Sequence, residues 1–155
     1  MLYSIITSSN KISLISGIDE VLPNRAGGQA IQKNLETLGP ISYSESEITF
    51  ANEIQNATGK PTIGMDSEIK PMRETLENPG GGSTDVGDVS FIVPVARLGV
   101  STAPKDVPWH SWAVVACGGM SIGHKVMIYA AIARGMTLID MFVEEKLRNE
   151  MKLEF

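Results

Sequence analysis

The sequence predicts an α/β fold, because segments with the pattern of strands alternate with segments that have the pattern of helices. Residues 11–16 alternate polar and apolar side chains, as a half-buried strand does. Residues 91–94 and 96–100 are short apolar runs, and the second run is the better candidate for a buried strand. Helical patterns lie between these runs and after them. With 155 residues, the chain is predicted to form one domain, residues 1–155.

Two helices are predicted in the first third of the chain. The first spans residues 25–38, where apolar side chains recur on one face and a Gly-Pro pair follows. The second begins after Ser44, because Ser44 and Glu47 have the spacing of a capping box. Residues 60–82 carry three prolines and no periodicity, which predicts a surface connection.

The last third predicts two further helices. Ser121 is expected to cap the first of them, and the second runs from Phe142 to the end. Residues 112–117 fit either a strand or a short helix, since periodicity does not decide between the two. The apolar run 126–143 is interrupted by charged residues and a glycine, which predicts a helix packed in a core and not a membrane span.

Charge and cysteine content narrow the function classes. The net charge of −5 argues against sequence-independent binding of nucleic acid, which requires a basic surface. The lone cysteine, Cys117, cannot form an internal disulfide, which favours a reducing, cytoplasmic setting. Residues 1–6 lack the basic start and the long apolar stretch of a signal peptide.

A glycine-rich segment with two carboxylates is the first candidate for chemistry. Three consecutive glycines at 80–82 would let backbone amides approach an anion, or they form a mobile connection without function. Asp85 and Asp88, three residues apart, could bind a metal, orient a histidine or accept hydrogen bonds from a substrate. Capping of a helix is the favoured role for Asp88. The hydroxyls of Ser83 and Thr84 could hold a substrate carboxylate.

His110 is the sharpest single candidate. It lies between Trp109 and Trp112, and neutral imidazole is the commonest zinc ligand. A lone histidine is, by spacing alone, more often a surface or packed residue. For His124, at the start of an apolar helix beside Lys125, packing or a structural hydrogen bond is the better interpretation.

Three motifs follow one another along the chain: residues 82–90 (GSTDVGDVS), 108–112 (PWHSW) and 123–125 (GHK). Together they resemble the C-terminal part of aminobenzoyl-glutamate hydrolase-like amidohydrolases. Those enzymes belong to the two-metal aminoacylase and carboxypeptidase family of zinc peptidases. The resemblance covers most of the chain from about residue 11.

The resemblance implies hydrolysis of an N-acyl or N-aroyl amino acid amide by an enzyme that holds two zinc or manganese ions. It also implies a three-layer α/β/α catalytic domain, of which this chain would be the C-terminal portion. Residues 1–16 would then contain the end of an inserted dimerisation domain and its return strand. By the resemblance, His110 is a metal ligand. The residues on the substrate side of the site would be Gly82, Ser83, Thr84 and Asp85.

The family's remaining ligands and its general base have no counterpart in this chain. We therefore expect no hydrolysis and no tightly bound metal from the isolated chain, and we assign it no catalytic residue. An N-terminal catalytic half would complete the site. Exposed apolar surface predicts self-association, so a homo-oligomer is also expected. The alternative hypothesis is a non-catalytic α/β binding or interaction module. Under either hypothesis we expect no nucleic-acid and no membrane partner.

Overall fold

The computed structural model describes residues 11–73 and 84–155, and their structure is helical. Helices contain about 53% of these residues. The six helices of the described part are α1 (Arg25–Leu38), α2 (Glu45–Ala57), α3 (Val86–Ser90), α4 (Trp112–Gly118), α5 (Ser121–Val143) and α6 (Glu145–Glu154).

The predicted α/β class, and with it the three-layer α/β/α catalytic domain, is wrong for the described residues. They form no strand, and their only strand-like pairing is an isolated parallel bridge between Pro23 and Val95. Residues 11–16 are exposed throughout, with Ile15 96% accessible. Alternation and apolar runs give a segment the side chains of a strand. A strand also needs a neighbour along its whole length to pair its amides and carbonyls, and this part of the chain supplies none.

Helix α1 confirms the prediction for residues 25–38. Asn24 caps it, since its Oδ1 accepts from the Gly27 amide at 2.9 Å. The helix ends at Gly39, whose φ of 76° suits a residue without a Cβ and whose amide donates to the Leu35 carbonyl. Asn24 also fixes the C-terminal helix, because its Nδ2 donates to the Met151 carbonyl at 2.9 Å.

Helix α2 confirms the predicted capping box. The Glu47 amide donates to Ser44 Oγ, and the Ser44 amide donates to a Glu47 carboxylate oxygen at 2.7 Å. Both reciprocal bonds of the motif are therefore made. Further along the helix, the fully buried Gln55 forms hydrogen bonds that join α2 to the loop that follows it, at Gly64, and to the loop before α4, at Lys105.

The C-terminal helices pack around α5. Residues 112–117, left open between strand and helix by the sequence, are helical in α4. Helix α5 begins at Ser121, but the predicted cap is wrong: the N-cap residue is Met120, and no side chain caps the helix. The turn between α4 and α5 is tight, since a Cβ at Gly123 would lie 2.3 Å from the Gly118 carbonyl oxygen. A glycine is therefore required there.

The buried side chains form two small clusters and not one large core. The first joins Ile54 of α2 to Val107, Ala113 and Cys117. The second joins Ala30 of α1 to Leu147 and Met151 of α6. Helix α5 contacts α1, α4 and α6 and so connects the two clusters.

Candidate functional site

His110 lies in a short loop whose two ends are fixed in the first cluster. Val107 before it and Ala113 after it are buried against Cys117 and Ile54. Within the loop, Ser111 Oγ donates to the Pro108 carbonyl at 2.6 Å. The backbone around the histidine is thus held in place while its side chain points away from the core.

The conformation of His110 is unusual for a residue with a side chain. Its φ is 60°, in the left-handed region that non-glycine residues seldom adopt. Such strain persists where surrounding contacts impose it, and it concentrates at functional positions. The imidazole is exposed and makes no hydrogen bond to any residue in the described part of the chain. Both ring nitrogens are therefore accessible to an external ligand.

Helix α3 carries the two aspartates of the glycine-rich segment. Asp85 is its N-cap residue but makes no side-chain capping bond, and its carboxylate is exposed. Thr84 Oγ1 accepts from the Val86 amide at 3.3 Å. Gly82 and Ser83, predicted to line the substrate side, lie outside the described residues.

Asp88 has a structural role that differs from the predicted cap. Its Oδ1 accepts from the Asp19 amide at 2.9 Å, and the buried Ser90 on the same helix accepts from the Leu22 amide. These bonds fasten the segment before α1 to α3. Gly87 lies between them, and a Cβ at this position would lie 1.8 Å from the Asp19 carbonyl oxygen. The Asp88 side chain therefore has a structural role, because it holds the segment before α1 against α3.

The described residues do not form a complete metal site. Among residues 11–73 and 84–155, no group of three or more histidine, cysteine, aspartate or glutamate side chains is close enough together to hold a metal ion. Structural zinc is usually held by four protein ligands and catalytic zinc by three. The two metal ions implied by the resemblance therefore do not fit this set of residues alone.

A cavity of about 540 Å³ borders the histidine loop through Trp109. That volume lies within the range of small-molecule sites. Its wall combines apolar and aromatic groups with four charged ones, and the residues that matter most for charge and stacking are Asp66, Glu68, Lys70, Arg73, Trp109 and Tyr129. Lys70 pairs with Asp66. The Trp109 side chain is 65% exposed, so its ring offers a free stacking face at the cavity edge.

An ion pair joins α2 to α5, and the sequence did not predict it. Lys125 Nζ lies 2.6 Å from a carboxylate oxygen of the buried Glu47 and donates to the Ser42 carbonyl at 2.8 Å. It also lies 5.4 Å from the centre of the Tyr43 ring, a cation–π distance. The hydrogen bond from Lys125, aided by the Ser44 amide, lowers the pKa of Glu47 from 4.5 to about 2. Only the capping half of this arrangement had a local sequence signal.

This pair predicts acid sensitivity. Because the folded-state pKa of Glu47 lies below its unfolded value, its stabilising contribution is complete above about pH 5 and is lost as the pH falls toward 2. A shift of that size corresponds to about 3 kcal/mol. Lys125 is 37% exposed, so solvent screening reduces the expected contribution to about 1–2 kcal/mol.

The check is urea unfolding of Glu47→Gln at pH 7, 5 and 3. We expect this variant to be less stable than the parent at pH 7 and to lose less stability on acidification. Glu53→Gln is the matched control, because Glu53 is an exposed glutamate of the same helix. Parallel pH profiles for the parent and Glu47→Gln would contradict the assignment of the acid-sensitive contribution to Glu47.

Comparison with known proteins connects this chain to a hydrolase. No family model matches it, and no solved structure matches it. It is 30% identical, over 159 aligned positions, to one subunit of the p-aminobenzoyl-glutamate hydrolase of Escherichia coli (strain K12). The alignment covers 86% of this chain and 33% of that protein.

The chain therefore spans about a third of the length of the curated relative that it matches. The similarity supports the relationship to aminobenzoyl-glutamate hydrolases that the motifs indicated. Membership of the zinc-peptidase family stays a prediction. The relative is part of a bacterial hydrolase, so this chain is related to a hydrolase and, more narrowly, to an amidohydrolase.

Proposed function

We propose that this chain is the C-terminal portion, or a separate subunit, of a metal-dependent amidohydrolase that cleaves N-acyl or N-aroyl amino acids. The observation that carries the proposal is the 30% identity to a p-aminobenzoyl-glutamate hydrolase subunit over 86% of the chain. A reducing compartment fits the free and fully buried Cys117, and we place the protein in the cytoplasm.

In this proposal His110 is a metal ligand. Its support is the loop geometry: a fixed backbone with positive φ presents an imidazole that has no partner in the described part of the chain. Thr84 and Asp85, with Gly82 and Ser83 before them, form the substrate side of the site. The exposed Asp85 carboxylate, free of any capping bond, is consistent with that role.

The rest of the site lies in an N-terminal catalytic half. The described residues hold no cluster that could bind a metal ion by itself, so an N-terminal catalytic half supplies the remaining ligands and the general base. The zinc or manganese pair belongs to the completed enzyme. The alternative function, a non-catalytic binding or interaction module, is favoured by this same lack of a ligand cluster in the described residues.

Metal binding and complementation separate the two functions. The isolated chain should bind less than one equivalent of zinc at micromolar metal, measured by calorimetry with a chelator-treated sample. It is then co-expressed with the two thirds of the E. coli relative that this chain does not match, and p-aminobenzoyl-glutamate hydrolysis is measured. Activity only in the combined sample supports the amidohydrolase proposal. No activity with a complex that does form supports the interaction module.

A further inference from the structure

Helix α5 exposes a long apolar surface. Its most apolar 18 residues are only 17% buried, and by length and composition alone the helix could cross a membrane. We define the α5 apolar face as the exposed large side chains Met127, Ile128, Ile132, Leu138, Ile139 and Phe142. Phe142, at 81% accessibility, is the most exposed of them.

The spacing of these residues places them on one side of the helix. Ile128, Ile132, Ile139 and Phe142 are separated by four, seven and three positions, which forms a stripe parallel to the helix axis. The opposite side, with Val126, Ala133 and Thr137, is buried. Helix α5 is therefore apolar on both sides, and the helices it contacts, α1, α4 and α6, leave the α5 apolar face uncovered.

A second exposed apolar surface adjoins His110 in sequence. Helix α4 begins at Trp112, two residues after His110, and packs against α5. Trp112 and Val115 are both exposed, at 58% and 76%. Exposed apolar surface on two neighbouring helices is typical of an interaction site. A body that covers α4 and α5 together would therefore also come close to His110.

We infer that the α5 apolar face is the docking surface for the polypeptide that carries the missing part of the amidohydrolase; this inference rests on the function proposed above. The length comparison supports this occupant, because two thirds of the related protein has no counterpart in this chain. A second copy of the chain would bring only the same incomplete set of ligands. A lipid surface would bring no ligand to His110.

The test uses the complementing polypeptide described above, carrying an affinity tag, and the full 155-residue chain. The variant Ile132→Glu/Ile139→Glu places two carboxylates on the α5 apolar face. Because both side chains are exposed, the helix content by circular dichroism should match that of the parent. We expect the dissociation constant of the complex to rise at least tenfold. The matched control is Lys33→Glu, an exposed position of α1 with the same change of two charge units, for which the change should stay below threefold.

A second measurement remains valid if the double variant fails to fold. A benzoylphenylalanine photo-crosslinker replaces Phe142 or, as control, the exposed Lys33 of α1. Crosslinking to the complementing polypeptide from position 142 alone supports the inference. Equal crosslinking from both positions, or unchanged affinity in a folded double variant, overturns it.

The other occupants give distinct results. A stable dimer of the chain alone that Ile132→Glu/Ile139→Glu dissociates would assign the α5 apolar face to a second copy. Flotation of the chain with phosphatidylglycerol vesicles, abolished by the same variant, would assign it to a membrane. Either result overturns the inference. A complex weakened by the double variant but inactive toward p-aminobenzoyl-glutamate would retain the docking surface and reject the proposed function. An active complex whose affinity the double variant does not change would retain the proposed function and reject the docking surface.

Discussion

Replacement of His110 by alanine should reduce the hydrolysis restored by the complementing polypeptide by at least about 100-fold, since even groups that only orient a metal ligand contribute 10–100-fold. The imidazole is exposed and bonds to no residue in the described ranges. Its removal should therefore leave the fold and the affinity for the complementing polypeptide almost unchanged. The measurement is the initial rate of p-aminobenzoyl-glutamate cleavage with the metal content determined in parallel.

The second histidine of the chain provides the control. His124 lies on the exposed side of α5 near its start, and His124→Ala should retain most of the activity. Relief of backbone strain is a separate effect that must be distinguished, because His110 has positive φ. His110→Gly keeps that conformation accessible and also lacks the imidazole. If His110→Gly were active while His110→Ala was not, the role of His110 would be conformational, and its assignment as a metal ligand would be wrong.

Local signals predicted the two N-terminal helices well. Asn24 and Gly39 bound α1, and the Ser44–Glu47 box starts α2. Both ends depend on contacts between residues three to five positions apart, which a sequence shows directly. The third local signal, Ser121 as a cap, was wrong, because the preceding residue Met120 takes the extended cap conformation and no side chain caps the helix.

The strand predictions failed because a strand depends on distant pairing. Residues 96–100 have the composition of a strand, yet the described chain gives this region a single bridge, at Val95 with Pro23. The same limit applies to Lys125, which joins Glu47 across 78 positions. No spacing rule links residues so far apart, so the sequence showed the capping role of Glu47 and missed its cation.

The sequence predicted only part of the candidate site. His110 was identified by residue type and motif, and the structure shows its exposure and its left-handed backbone. Its role as a ligand remains a prediction. The cavity beside Trp109 had no sequence signal, because α1, α5 and the segments around residues 66–73 and 99–101 build it from well-separated parts of the chain.

Replacement of Gln55 by leucine should destabilise the fold by about 2–4 kcal/mol, because two backbone groups lose their hydrogen-bond partner. The side chain is fully buried, and every polar atom of its amide is used. Its Oε1 accepts from the amides of Ile63 and Gly64, and its Nε2 donates to the carbonyls of Gly64 and Lys105. Leucine has nearly the same size but would leave the Gly64 amide and the Lys105 carbonyl without this partner, at about 1–3 kcal/mol for each group that water cannot reach. The Ile63 amide and the Gly64 carbonyl keep backbone partners, Pro61 and Lys105.

Replacement of Gln55 should also disturb the loop that carries His110. Lys105, held by Gln55, lies two residues before Val107, the buried residue that fixes the start of that loop. Gln55→Leu should therefore unfold at lower urea concentration and also weaken activity in the completed enzyme. Gln29→Leu is the matched control, because Gln29 is an exposed glutamine of α1. Its free energy of unfolding should change by less than about 0.5 kcal/mol. Equal urea midpoints for Gln55→Leu and Gln29→Leu would show that the hydrogen bonds of Gln55 contribute no net stability. The contact between α2 and the loop that carries His110 would then depend on the apolar packing around Ile54.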